Sequence, residues 1–143
     1  MNIIVLQHIN IEDPGYIKDL MLDDGVKITT VELDEGEKIP KDLSKYDGMF
    51  CMGGPMDTYM DHEYPWLKEE KRRIREFVVD LKKPYLGFCL GCQLLGEVVG
   101  GKVIKSNPPE IGIMDIKFTA DKDKDKLFSQ FPSEIKSLQW HSY

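Results

Sequence analysis

Apolar residues in this chain follow two rhythms. The first is the short unbroken run: Ile3-Ile4-Val5-Leu6, Met49-Phe50-Cys51-Met52 and Tyr85-Leu86-Gly87-Phe88. Such runs suit strands buried on both faces, as in a parallel sheet. Val26 to Leu33 is rich in β-branched residues and predicts a further strand. The second rhythm is helical. Leu67, Ile74, Phe77, Val78 and Leu81 share one face of a helix predicted from Pro65 to Lys82. Lys68, Glu69, Arg72, Arg73 and Glu76 lie elsewhere and read as a solvated face. Asp13-Pro14-Gly15 opens a shorter helix that runs through Leu22 and is closed by Asp23-Asp24-Gly25. A third helix is predicted from Gly91 to Val99.

Past Gly100-Gly101 the pattern shortens. Lys102 to Lys105 predicts a short strand, Asn107-Pro108-Pro109-Glu110 a turn, and Ile111 to Thr119 an alternating strand. Asp121 to Lys126 alternates in charge and reads as a solvated turn into a short helix near Leu127 to Phe131. Ser137 to Trp140 predicts the last strand. Strands alternating with helices predict one flavodoxin-like α/β domain over 1–143, with a mostly parallel central sheet. Right-handed crossovers would place helices on both faces. In such sheets ligands bind at the C-terminal ends of the strands. That rule collects His8, the Gly53-Gly54-Pro55 loop and Cys89 at one edge.

Composition narrows the function. A chain of 143 residues, 41% hydrophobic and 31% charged, has the make-up of a soluble globular domain. A net charge of −6 leaves no basic face and argues against nucleic acid. No apolar run approaches the length of a membrane span, and Met1 to Leu6 lacks the basic start of a signal peptide. Three cysteines make no disulfide framework, and the odd count fits a reducing cytoplasm.

Candidate chemistry centres on Lys83-Pro84-Tyr85-Leu86-Gly87-Phe88-Cys89-Leu90-Gly91-Cys92-Gln93. A strand meets a helix here through an abrupt turn at Cys89, flanked by two glycines that allow close backbone approach. This is the sulfur version of a nucleophile elbow. A thiol at a helix N-terminus meets unpaired N–H groups that favour the thiolate. Two other readings compete: a small buried hydrophobe, and a redox pair, since Cys89 and Cys92 form a C-x-x-C. From this stretch alone nucleophile and redox pair stand level. No second C-x-x-C or paired histidine motif supports a metal site, so neither metal nor cofactor is predicted. Gly53-Gly54-Pro55 alone reads as an ordinary turn, His8 as a structural histidine with satisfied nitrogens, and His62 as solvated.

Taken together, Gly53-Gly54-Pro55-Met56 followed by Gly87-Phe88-Cys89-Leu90-Gly91-Cys92-Gln93 resembles class I glutamine amidotransferase domains, the glutaminase modules of GMP synthetase, anthranilate synthase and carbamoyl-phosphate synthetase. Leu6-Gln7-His8 with Pro14-Gly15, Tyr64-Pro65-Trp66-Leu67, and Asn107-Pro108 with Glu110-Ile111-Gly112 resemble the stand-alone, GMP-synthetase-like branch. The resemblance implies that Cys89 attacks the glutamine side-chain amide and forms a thioester. It implies an oxyanion hole from the backbone N–H groups of Gly54 and Leu90. It also implies substrate contacts at Met56, Gln93, Ser142 and Tyr143, no use for Cys92, glutamine or a γ-glutamyl compound as substrate, and an ammonia-accepting synthase as partner. A γ-glutamyl peptidase shares these motifs, and a non-catalytic binding module is the third reading.

One part of the family pattern is missing. The family activates its cysteine with a histidine, oriented by a glutamate, in a late H-P-E motif. The three histidines here are His8, His62 and His141, and Trp140-His141-Ser142 resembles an earlier Q-W-H segment. The residue two past His141 is Tyr143, which is no carboxylate. The expectation is a shortened form of a longer domain, weakly active or inactive on its own. An edge strand and an apolar face left open would make it a homo-oligomer.

Overall fold

The strands β1 (Asn2–Gln7), β2 (Lys27–Glu32), β3 (Gly48–Cys51) and β4 (Tyr85–Gly87) pair in the order β2-β1-β3-β4, parallel throughout. The computed structural model describes residues 1–143, the side chain of Ala120 excepted. It forms two compact units, Met1–Val103 and Ile104–Tyr143. The parallel sheet belongs to the first.

The unbroken apolar runs are explained by the period of two along a strand. Ile4 and Leu6 of β1 join a core with Met49 and Cys51 of β3, while Ile3 and Val5 join a second core on the opposite face. Helices α2 (Trp66–Arg75) and α3 (Leu90–Val98) cover the first face through Leu67, Ile74, Leu90 and Leu94. Helix α1 (Tyr16–Asp23) lies on the second, where Met21 packs against the core. The fold is therefore α/β, a parallel sheet between helices. Among the described residues no helix is long and apolar enough to cross a membrane.

The long helix departs from expectation twice. It continues past Arg75 as a π-helical turn, Glu76–Asp80, in which the Leu81 N–H donates to the Glu76 carbonyl at 2.9 Å. In addition, Arg73 is not solvated. It is 4% exposed and donates to the carbonyls of Pro40 and Lys41 and to the Glu76 carboxylate. Its position explains this, because residues 67, 70, 73, 74 and 77 follow one helical stripe and all five are buried. The stripe carries two charged residues, Glu70 and Arg73, inside a core.

In the second unit β5 (Glu110–Lys117) and β6 (Glu134–His141) form an antiparallel pair, with Glu110 opposite His141 and Lys117 opposite Glu134. Phe118, Phe128 and Phe131 stack their rings 5.5–5.8 Å apart beneath the connecting segment. The predicted strand Lys102–Lys105 does not form, since no strand pairs with it among the described residues. The helix predicted near Leu127 is a single 3₁₀ turn, Phe128–Gln130.

Candidate active site

Three strand ends meet at one edge of the parallel sheet. Strand β4 stops at Gly87, and Cys89 takes φ 48° and ψ −107° as the residue that caps α3. A β-carbon-bearing residue in the positive-φ region is strained, and such strain persists only where the surroundings impose it. The surroundings here are two backbone contacts that only glycine permits. A β-carbon on Gly87 would lie 2.6 Å from the Cys92 nitrogen, and one on Gly91 would lie 2.1 Å from the Cys51 carbonyl oxygen. The start of α3 is thus seated directly on the end of β3, where the Gly91 N–H also reaches the Met52 carbonyl at 3.2 Å. The Tyr85 hydroxyl donates to the Gly91 carbonyl at 2.7 Å.

The Cys89 thiol is exposed, and the Leu90 N–H bonds to it. Its pKa is nevertheless raised. Partial burial is the main cause, the Leu90 N–H works against it, and the Glu12 carboxylate and Cys92 add to it. This corrects the sequence expectation of a thiolate favoured by the helix end: one N–H does not outweigh lost solvent and a nearby carboxylate. Alkylation of Cys89 by iodoacetamide should therefore be slow at neutral pH and keep accelerating beyond pH 9.0, the ordinary thiol value. A rate–pH profile levelling off near neutrality would contradict this.

The Gly53-Gly54-Pro55 loop abuts the nucleophile. A β-carbon on Gly53 would stand 3.6 Å from that of Cys89 and 2.2 Å from a carboxylate oxygen of Glu12. Behind the loop lies a buried polar cluster. His8 is fully enclosed, with Nδ1 2.8 Å from the Gly53 carbonyl and Nε2 2.8 Å from Glu70 Oε1. Cys51 donates its S–H to the same Glu70 oxygen at 3.3 Å, and the Trp66 ring stacks on the imidazole at 5.5 Å. A carbonyl only accepts, so Nδ1 must carry a hydrogen. Burial opposes protonation of the ring, but the Glu70 hydrogen bond and charge, with the Gly53 carbonyl, raise the His8 pKa above its ordinary 6.5. Burial pushes the Cys51 thiol far up, with the Glu70 charge adding to it. The donor atoms of His8, Cys51 and Glu70 lie within 4.8 Å of one another, a spacing open to a metal ion, but 2.8 Å between His8 and Glu70 is a hydrogen bond.

The remaining predicted residues fall as follows. Gln93 lies in the first turn of α3, its N–H 3.1 Å from the Cys89 carbonyl. Met56 is buried, and the loop after it is tied down by Thr58 bonding Glu97 at 3.0 Å and Lys71 bonding the Thr58 carbonyl at 2.8 Å. Cys92 is exposed and, like Cys51 and Cys89, free of any disulfide. His62 is exposed. Ser142 and Tyr143 belong to the second unit, where the Ser142 carbonyl accepts from the Ser106 N–H at 2.7 Å and the Tyr143 ring faces the Lys105 ammonium at 5.9 Å. His141 does have a carboxylate partner. It comes from across the strand pair, Glu110 at 3.2 Å, whereas the family pattern puts it two residues downstream. Sequence reasoning misses Glu12 and Glu70 altogether. Glu70 gives one signal, a charge at an apolar-stripe position between Leu67 and Ile74.

The family profile for glutamine amidotransferase class-I matches residues 16–143. The chain belongs to the class I glutamine amidotransferase family. A glutamine amidotransferase crystal structure from Thermotoga maritima is similar to it at TM-score 0.90 and 31% identity, over 99% of this chain and 60% of that one. The glutamine amidotransferase-like protein YfeJ of Salmonella typhimurium is 28% identical over 99% of this chain and 60% of its own length. The glutamine-hydrolyzing subunit of the GMP synthase of Sulfolobus acidocaldarius is 28% identical over 74% of this chain and 52% of its own. The chain thus spans between about half and 60% of the length of these amidotransferase relatives.

Proposed function

We propose that this chain carries the nucleophile half of a glutaminase centre. Cys89 adds to the side-chain carbonyl of glutamine. The tetrahedral oxyanion is received by the N–H groups of Gly54 and Leu90. The C–N bond then breaks, ammonia leaves with a proton, and water hydrolyses the thioester to glutamate. Met56, Gln93, Ser142 and Tyr143 would hold the amino-acid head group. The observation that carries this reading is the strained, exposed Cys89 capping α3 beside the Gly53-Gly54 loop. A core cysteine would need neither strain nor exposure, and a redox pair gives the loop no role. By analogy with the GMP synthase relative, the ammonia would pass to a partner synthase in the cytoplasm.

The chain by itself should release ammonia slowly. A positioned acid–base group contributes roughly 10²–10⁴-fold. His8 is buried and bonded through both nitrogens, so it cannot fill that role. Covalent capture needs no such group. A glutamine-like chloroketone is expected to label Cys89 ahead of Cys51 and Cys92, with glutamine protecting. Preferential labelling of either other thiol would overturn the assignment. Protection by γ-glutamyl amides and not by glutamine would favour a γ-glutamyl hydrolase. Self-association through the second unit belongs to the same proposal. Ile111, Ile113, Leu138 and Trp140 share one exposed face of β5 and β6 at 57–74% exposure, a ready surface for a second copy. A monomer mass by light scattering would remove that element.

A further inference from the structure

The Gly53–Gly54 peptide carries a polar atom on each side. Its carbonyl oxygen is held by His8 Nδ1 at 2.8 Å. Its N–H, on Gly54, belongs to the same planar trans group and so points the opposite way. Among the described residues that N–H has no protein acceptor. A peptide between two glycines is the one the chain restrains least, because no β-carbon limits rotation on either side. Flipped over, it would aim a carbonyl oxygen where an oxyanion must sit. The restraint therefore has to come from outside the loop, and the structure supplies a single rigid one. The imidazole is clamped by Glu70 at 2.8 Å and by the Trp66 face, and both His8 and Glu70 are fully enclosed.

We propose that His8, clamped by Glu70, is a positioning residue: its Nδ1–H locks the Gly53–Gly54 peptide so that the Gly54 N–H faces the oxyanion formed at Cys89. This rests on the glutaminase reading of Cys89 and Gly54. The lock is kept in either charge state of the pair. With the ring protonated and Glu70 ionised, both nitrogens donate. With the proton moved to Glu70, the neutral ring keeps its hydrogen on Nδ1, because Gly53 offers only an acceptor.

Two isosteres of histidine separate the two bonds. In His8→Asn the amide nitrogen occupies the place of Nδ1 and can still hold the Gly53 carbonyl. In His8→Gln it occupies the place of Nε2 and can still reach Glu70, leaving Gly53 free. Two reagents separate the lock from general damage. Chloroketone capture passes through a hemithioketal oxyanion: sulfur bonds to carbon, and chloride then leaves. Iodoacetamide displaces iodide directly and makes no oxyanion. The ratio of the two rate constants at Cys89 should fall roughly 10- to 100-fold in His8→Gln, within the range set by losing one oxyanion donor. It should recover to within a few-fold of wild type in His8→Asn. A ratio unchanged in His8→Gln, with wild-type capture still selective and glutamine-protected, overturns the lock alone. A wild-type protein showing no such selectivity overturns the glutaminase reading and the lock with it. Should His8→Gln fail to fold, ring nitrogen-15 spectra of the wild type decide. Nδ1 should stay protonated from about pH 5 to about pH 9, and a bare Nδ1 at any point in that range overturns the lock.

Discussion

Glu70→Ala is expected to lower the unfolding free energy by about 3–5 kcal/mol, the usual loss when one member of a buried ion pair is removed. For a unit of this size that lowers Tm by on the order of ten degrees or more. Glu70 Oε1 accepts from both His8 and Cys51, and neither donor has room to turn to water, since all three residues are fully enclosed. The pair itself is incompletely satisfied, because Glu70 Oε2 has no hydrogen-bond partner among the described residues. Replacing His8 and Glu70 together by leucine should therefore be far less damaging than either single loss suggests. Thermal unfolding of the three variants measures this, and additive losses would contradict it. The pair also sets a pH dependence. The folded ring keeps its proton above the ordinary 6.5, so this contribution is complete below that pH and drains away as pH rises through the raised folded value. The wild-type urea midpoint should fall over that window, and the Glu70→Ala midpoint should fall less.

The sequence made the sheet legible because unbroken runs such as Ile3-Ile4-Val5-Leu6 are what a strand between two helical layers requires. It made Cys89 legible because a plain core strand does not need two glycines around a cysteine where it turns into a helix. It hid the support behind the site. Glu70 and Arg73 are charged, and pattern reading sends charges to solvent, yet both occupy the buried stripe of α2. Their partners lie far along the chain, 62 residues away for His8 and Glu70, and 33 for Arg73 and Pro40. Spacing rules see neighbours within a turn or two, so pairs of this kind stay invisible until the chain is folded. The thiol pKa failed for a related reason. The helix end was visible in the sequence, but Glu12, brought in from the loop after β1, was not.

Gly91→Ala is expected to be the most damaging single methyl that can be added to the first unit. The new carbon would lie 2.1 Å from the Cys51 carbonyl oxygen and 2.7 Å from its carbon. Both are backbone atoms of β3, which is hydrogen-bonded to strands on either side. A flexible side chain could swing aside, but a central strand cannot. Relief has to come from lifting the start of α3 off the sheet, which breaks the Gly91–Met52 and Tyr85–Gly91 hydrogen bonds and moves Cys89 with them. Overpacking of this kind costs about 1–3 kcal/mol and more where backbone must shift, so a loss at or above the top of that range is expected. Gly96→Ala is the matched control on the same helix. Nothing lies within 4 Å of the position its β-carbon would take, and alanine there should stabilise by about 0.4–1 kcal/mol. Urea unfolding reads both, and chloroketone labelling reads whether Cys89 keeps its place. A Gly91→Ala protein as stable as wild type, or as selective at Cys89, would mean that the elbow is not seated on β3.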